Sequence, residues 1–211
     1  MNLLDQRVFH VTHVRNLERI VDSGAVLASA HDSPAPLAID LSSPLARELR
    51  ATAEVTLDSG GRSVAAFVPW YLSADASVWQ ELRRGAAEPR WSGAARAAAS
   101  VDFVVLVSTV RALAAQGSFV VADGDAAATF TRFASNEEQA MRMLARLHNT
   151  EQVLDAELLV PNSVPFAAVQ LIGAANEPQR DRVRGLLDAA SVRTKVMVHP
   201  PWFAAPETRA G

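Results

Sequence analysis

Apolar positions along this chain recur with two periods, and the switches between them outline its elements. Residues 7–14, RVFHVTHV, mix β-branched and aromatic types with polar breaks and predict a strand. In NLERIVDSG, Leu17, Ile20 and Val21 fall at helical spacing, and Gly24 stands where a helix stops. Residues 101–110, VDFVVLVSTV, are a continuous apolar run, as expected of a strand buried on both faces. Further strands are expected in SVAAFVPWYL, near SFVVAD, in LDAELLV (154–160), in VQLIGAA and in TKVMVHP. Helices are expected in PLARELRATA from near Pro44, from Asp75 to Arg84, in DAAATFTRF, and across 135–150, where Met141, Leu144, Ala145 and Leu147 share a helical spacing. EPQRDRVRGLLDAA predicts an amphipathic helix, with Pro178 in its first turn and Glu177 and Asp181 near the end where the dipole favours acids.

Between these elements lie a long Ser/Pro/Asp/Ala loop over 28–44, turns at Ser59-Gly60-Gly61 and Asp123-Gly124-Asp125, and loop or weak helix over 85–97. No repeat or linker interrupts the order. The expectation is one domain, 1–211, of α+β class, with short strands and peripheral helices. With 49% hydrophobic and 20% charged residues, the chain is ordinary globular material. It has no Cys, which removes disulfides, thiolate metal sites and Cys nucleophiles, and fits a reducing cytoplasm as its address. No apolar run reaches the roughly 18 residues of a bilayer span, and MNLLDQRVFHVTH does not read as a signal peptide. A net charge of −3 argues against an extensive phosphate-binding surface, while leaving room for a pocket that takes one or a few nucleotides. Lys195 is the only Lys; the other basic residues are Arg, which clamps phosphates and stacks on bases better, although with so much Ala the bias also fits GC-rich coding.

Four constellations carry chemistry. His10-Val11-Thr12-His13 with Asn16 puts two imidazoles, a hydroxyl and an amide at one strand end; His10 and Thr12 share one face and His13 takes the other. The cluster either holds the amide and ribose of a small polar ligand or satisfies its own backbone. Glu157, inside the apolar run LDAELLV, either points outward from an edge strand or lies at a cleft, where it would anchor a ribose hydroxyl and stabilise a cationic sugar-like transition state. Arg47 and Arg50 lie on one side of a helix, as a binding pair or as a solvated face paired with Glu48 or Glu54. Trp70 and Tyr71 point to opposite faces of a strand, one toward core and the other free to stack on a flat ring. Residues 79–96 interleave Trp79 and Trp91 with Arg, which suits stacking on unpaired bases as well as a structural flap. No Gly-x-Gly-x-x-Gly, Walker-type Gly-Lys-Ser or Gly-x-Ser-x-Gly occurs, and no His-x-x-x-His or Glu-x-x-x-His frame offers a metal site.

In combination these segments resemble the DarT family of DNA ADP-ribosyltransferases. FHVTHVRNLERIVDSGAVLA is similar to the family's N-terminal NAD-contacting motif, and LARELRATAEV to the segment with its active-site Arg. FVPWYL resembles its Val-Pro-Phe-Tyr strand, VVADGDAAATFTRF its Asp-Gly-Asn-Ala segment, and DAELLVPNSVPFAAVQLI the block with its catalytic Glu; VRTKVMVHPPWF resembles its usual end. The matches keep the family order from residue 8 to residue 203. The resemblance implies a fold of the ADP-ribosyltransferase type and transfer of ADP-ribose from NAD, as co-substrate, to a base of single-stranded DNA with release of nicotinamide. It implies NAD contacts from His10, Val11, Thr12, His13, Asn16, Leu27 and Arg50, and a loop and helix over 31–50 closing on the bound NAD. Glu157 would be the catalytic carboxylate and Arg50 would face the acceptor base, with Arg47 as the alternative one turn away. The family assigns that Arg the acceptor proton. A guanidinium normally stays protonated to above about pH 12, so holding a deprotonating base by its charge is the easier physical role. Trp70, Tyr71 and Trp79 are the remaining candidates for the acceptor side.

Where the family continues its strand with Arg-Ser-Pro-Met-Leu-Tyr, this chain reads SADASVWQ, and the stretch from Phe133 to Glu157 is short, so the acceptor wall differs. An RNA, protein or small-molecule acceptor, or an NAD- or nucleotide-binding domain without turnover, stand as alternatives. The family's members are toxins commonly paired with a DarG macrodomain antitoxin, which the resemblance implies as a partner.

Overall fold

The computed structural model describes residues 2–31, 37–57, 61–85, 89–147 and 150–206. Strand β1 (Arg7–His13) runs into helix α1 (Val14–Asp22), then β2 (Ala25–Leu27), α2 (Pro44–Thr52), β3 (Glu54–Val55), β4 (Arg62–Ser63) and β5 (Phe67–Tyr71). Helices α3 (Ser77–Arg83) and α4 (Gly93–Ala97) precede β6 (Phe103–Thr109), α5 (Val110–Ala114), β7 (Val120–Ala122) and β8 (Phe133–Ala134). Helix α6 (Glu137–Leu147) leads to β9 (Glu157–Pro161), β10 (Ser163–Pro165), β11 (Leu171–Ala174), α7 (Glu177–Ala189) and β12 (Lys195–Val198).

Local chemistry starts most of these helices. The side chains of His13, Ser43, Ser92, Thr109 and Asn176 each accept a hydrogen bond from a first-turn backbone N–H of α1, α2, α4, α5 and α7. Pro44 and Pro178 sit in first turns, where their missing N–H costs nothing. Helix α1 stops at Gly24, which takes φ +70°, a conformation that Gly adopts without Cβ strain.

Eight strands form one mixed sheet in the order β12-β11-β6-β1-β5-β9-β7-β8. All its neighbours are antiparallel except β11 and β12. Strand β6 is buried on both faces, as its unbroken apolar run predicts. One face packs Val8, Val104, Leu106, Trp70, Leu158 and Ile172 against α1, α5, α6 and α7. The other packs Phe9, Phe103, Val105 and Val107 against Trp79 and Leu82 of α3, Trp91 and Phe203. Among the described residues no helix is long and apolar enough to cross a membrane.

Two departures from the expected elements lie close to the site. SVAAFVPWYL is strand only from Phe67, because Ser63 caps a turn of 3₁₀-helix over Val64–Ala66. DAAATFTRF is a turn and not a helix. Asp125 accepts from the Ala127 N–H at 2.9 Å, Thr131 donates to the Asp125 carbonyl at 2.6 Å, and Asp123 accepts from the Arg132 N–H at 2.8 Å. Short acidic side chains that bond nearby backbone offer an alternative to the helix ladder, and here they outweigh the Ala run. Phe133 is thereby delivered into β8, opposite Ala122. The expected turn at Ser59-Gly60-Gly61, the centre of the 28–44 loop (32–36), part of the 85–97 segment (86–88) and the end of the 135–150 helix (148–149) lie outside the described residues.

Candidate active site

Register places one residue from each strand of the large sheet in a single cross-strand row. It runs Lys195, Leu171, Val107, Phe9, Tyr71, Glu157, Ala122, Phe133. Directly opposed residues share a face, so Glu157 stands beside Tyr71 and Ala122 with Phe9 and Phe133 farther along. Beyond this row the strands part: among the described residues β1 and β5 pair only at Phe9 and Tyr71, whereas β1 and β6 pair at seven positions. Tyr71 therefore borders an opening in an otherwise continuous sheet, and Glu157, one strand beyond it at the start of β9, is 2% exposed.

Helix α2 delivers its partner. Arg50, in the last turn, donates from both terminal nitrogens to the two Glu157 carboxylate oxygens, at 3.3 and 3.2 Å. These contacts are longer than the roughly 2.8 Å of a tight charge-assisted pair. The Ala126 N–H adds a third donor to the carboxylate. Burial raises the Glu157 carboxyl above its ordinary value, against the opposing pull of Arg50. A buried ion costs several kcal/mol, and two long hydrogen bonds return only part of that. Burial is the strongest single influence on Arg50 and lowers its pKa, but the charge and hydrogen bonds of Glu157, with Tyr71 and Asp125, together outweigh it and hold the guanidinium above its ordinary value. The Tyr71 phenol is likewise pushed up by burial and by Glu157, so it remains a hydrogen-bond donor.

Three residues outside the expected site complete the cluster. Asp125 puts one carboxylate oxygen 3.9 Å from Arg50 and the other 3.7 Å from Arg90, and Arg90 reaches Glu81 at 3.2 Å. Charges of alternating sign thus run Glu157, Arg50, Asp125, Arg90, Glu81. The available signal was the Asp-Gly-Asp turn, whose side chains bend the backbone that carries the Ala126 N–H to Glu157.

Strand β1 presents the second group. His10 Nδ1 lies 2.9 Å from the Pro69 carbonyl, so Nδ1 donates and the neutral ring leaves Nε2 as an acceptor. Burial lowers the pKa of this imidazole, which favours that neutral form. His13 caps α1 by accepting from the Arg15 N–H, stacks edge-on against Phe103, and is also lowered by burial. Asn16 bridges elements: its amide donates to Thr12 Oγ1 at 3.2 Å and to the Ile39 carbonyl at 2.8 Å, and its oxygen accepts from the Ile39 N–H at 2.9 Å. It thus acts as a strand partner for the loop before α2. That loop is fastened a second time where Ser92 donates through Oγ to the Asp40 carbonyl and through its N–H to the Leu41 carbonyl. Asn16→Ala should cost about 2 kcal/mol, because it leaves partly buried backbone groups at Ile39 unpaired. Urea unfolding should register the loss, and amide exchange should speed up at Ile39 ahead of the strands.

The predicted site residues therefore divide. Arg50, Glu157 and Tyr71 converge. His10 and Val11 are half-buried on β1, while Thr12, His13 and Asn16 are buried and engaged as above. Leu27, half-buried, pairs with Ser163 in the separate β2–β10 ribbon. Arg47 does not pair with Glu48 or Glu54; it reaches Asp40 and the Ser42 carbonyl. The expectation of acceptor contact from Trp70 and Trp79 is corrected: both rings are 0% exposed, and Trp79 donates through Nε1 to the Trp202 carbonyl. Their large apolar area is worth more in the two cores than at a surface. Among the described residues no group of His, Asp and Glu is arranged to hold a metal ion.

The chain is similar to known proteins. The family model described as ssDNA thymidine ADP-ribosyltransferase, DarT, matches residues 9–204. A DNA ADP-ribosyl transferase of Mycobacterium tuberculosis is 27% identical over 214 residues, covering 94% of this chain and 89% of its own. Thermus sp. 2.9 DarT, solved in complex with ADP-ribosylated ssDNA, superposes with a TM-score of 0.79 at 21% identity, over 94% of this chain and 96% of that one. The same protein in complex with NAD+ gives 0.75 at 20% identity, over 94% and 98%. Thermosipho africanus DarTG in complex with ADP-ribose gives 0.67 at 15% identity, over 94% of this chain and 51% of that one.

Proposed function

The chain belongs to the DarT family of ssDNA thymidine ADP-ribosyltransferases, and from that premise we propose how its own residues divide the reaction. It transfers ADP-ribose from NAD to a base of single-stranded DNA and releases nicotinamide. The observation that carries the assignment is the Arg50–Glu157 pair, next to Tyr71 where β5 borders the gap from β1. A carboxylate beside a guanidinium and a protonated phenol suits a ribose diol.

Glu157 orients the ribose next to the nicotinamide and stabilises the positive charge that grows on the sugar as the glycosidic bond breaks. Its three donors leave lone pairs for a ribose hydroxyl, and the long Arg50 contacts open without much loss. His10, Val11, Thr12, His13, Asn16 and Leu27 form the NAD side, with His10 Nε2 as the acceptor for a ligand N–H or O–H. Arg50 faces the thymine. In thymidine N1 is bonded to the sugar, so the only ring nitrogen that carries a proton is N3; as that proton passes to water, negative charge develops on the imide, and Arg50 stabilises it while N3 bonds to the sugar carbon that nicotinamide leaves. Arg47 and Tyr71 flank the acceptor.

We further propose that residues 1–211 act as one transferase domain in the cytoplasm, opposed by a DarG-type macrodomain. The likeness to the Thermosipho DarTG chain supports that partner. To test the central reading, a mixed-sequence single-stranded oligonucleotide is incubated with protein and NAD, and oligonucleotide mass and free nicotinamide are followed together. One ADP-ribose added at thymidine is expected. Nicotinamide release with no adduct on DNA, and an adduct on RNA or protein instead, would overturn the acceptor.

A further inference from the structure

A surface cavity of about 440 Å³ lies between β8, the segment after β3 and helix α6. Gln139, Arg142 and Arg146 recur along α6 at three- and four-residue steps, so they line one stripe of it, and Arg132, Ser135 and Thr56 complete the polar wall. Among the described residues no Asp or Glu lines the cavity. Arg132 pairs with Asp123 at 2.6 Å and Arg142 with Glu138 at 2.7 Å, but neither acid reaches the cavity, and the two arginines remain 58% and 62% exposed. An arginine carries five N–H donors, so one ion pair leaves donors over. In a chain of net charge −3 this is a local concentration of positive charge.

Its position matters as much as its charge. Phe133, which also lines the cavity, is the end of the cross-strand row that contains Glu157, two strands away on the same face. At the usual strand spacing that is about 10 Å. The proposed NAD side, on β1, lies in the opposite direction from Glu157 along the row. Phe130, in the turn that links the acidic cluster to Arg132, is 95% exposed, which suits a ring that stacks on a base.

We infer that the Arg132–Arg142–Arg146 cavity holds a backbone phosphate of the single-stranded DNA, next to the nucleotide whose base is presented at Glu157. The inference rests on the reading of the chain as a DNA ADP-ribosyltransferase. Forked Arg donors match phosphate geometry, and the location beyond Glu157 from β1 favours the acceptor strand over the pyrophosphate of NAD as the source of that phosphate.

The test compares wild type with Arg142→Gln, Arg146→Gln and the double variant, by fluorescence anisotropy on a long single-stranded oligonucleotide and by transfer assays. Each lost phosphate contact should lower the slope of log affinity against log salt by about 0.7. The double variant should bind the long oligonucleotide roughly ten-fold more weakly than wild type. The KM for NAD and the rate of nicotinamide release without DNA should be unchanged. Thymidine supplied as the nucleoside, which carries no backbone phosphate, should be modified equally by wild type and variants. Wild-type DNA affinity and salt slope in the double variant would overturn the subsite alone. A raised KM for NAD with unchanged DNA binding would overturn it in favour of the pyrophosphate. A wild type that modifies RNA and never DNA would overturn both this inference and the acceptor assignment on which it rests.

Discussion

Glu157→Gln should lower ADP-ribose transfer by at least about a thousand-fold while leaving the fold intact. Loss of one preorganised electrostatic partner of a transition state costs about a hundred- to a thousand-fold, and here the lost partner is, among the described residues, the one buried carboxylate. The amide keeps the size of the side chain and the contact at β9, but carries no charge for the cationic sugar. Stability should change little, for two opposing reasons. Arg50 loses its closest anion yet keeps Asp125 at 3.9 Å, and the interior is relieved of an ionised carboxylate that it holds reluctantly. Thermal unfolding alongside mass spectrometry of the oligonucleotide checks both halves. A variant that still modified DNA at near wild-type rate would remove Glu157 from the chemistry.

Arg50→Ala should act differently, and the difference shows what the arginine does. Transfer to DNA should fall at least about a hundred-fold, since no cation then faces the acceptor. Slow nicotinamide release should persist with a shifted pH profile. Arg50 lowers the pKa of Glu157 against the upward push of burial; without it the carboxyl rises further. The active form is the ionised one, so release is lost as pH falls through that pKa, and in the variant the loss should set in at a higher pH than in wild type. Arg50→Lys should restore part of the profile but little transfer, because an ammonium offers charge without the forked geometry. Equal loss of release and transfer at every pH would instead make Arg50 an NAD-binding residue.

The elements that could be read along the chain are those whose stability is local. Strand β6 is legible because both its faces are apolar, and α1 and α7 because capping residues and periodic apolar positions coincide. The segment from Asp125 to Phe133 was misread because its Ala run favours a helix, whereas Asp123, Asp125 and Thr131 bond the backbone into a turn. Trp79 looked like a stacking residue because it sits among arginines; one of them, Arg83, lies over the same ring inside the structure and donates to the Trp202 carbonyl.

Sequence alone determined the order of the elements, the oddity of a carboxylate inside an apolar run, and the family through motifs kept in order. What tertiary structure decided is which groups meet. Arg50 and Glu157 are 107 residues apart, and nothing local to either names the other. Their contact follows from antiparallel register, which sets Glu157 beside Tyr71, and from a loop fastened at Ile39 by Asn16, which sets α2 above both. The same register carries the row on to Phe133 and the arginines of α6. Local propensity acts over a few residues, whereas the charges of a site are felt through space, and only the folded sheet turns one kind of distance into the other.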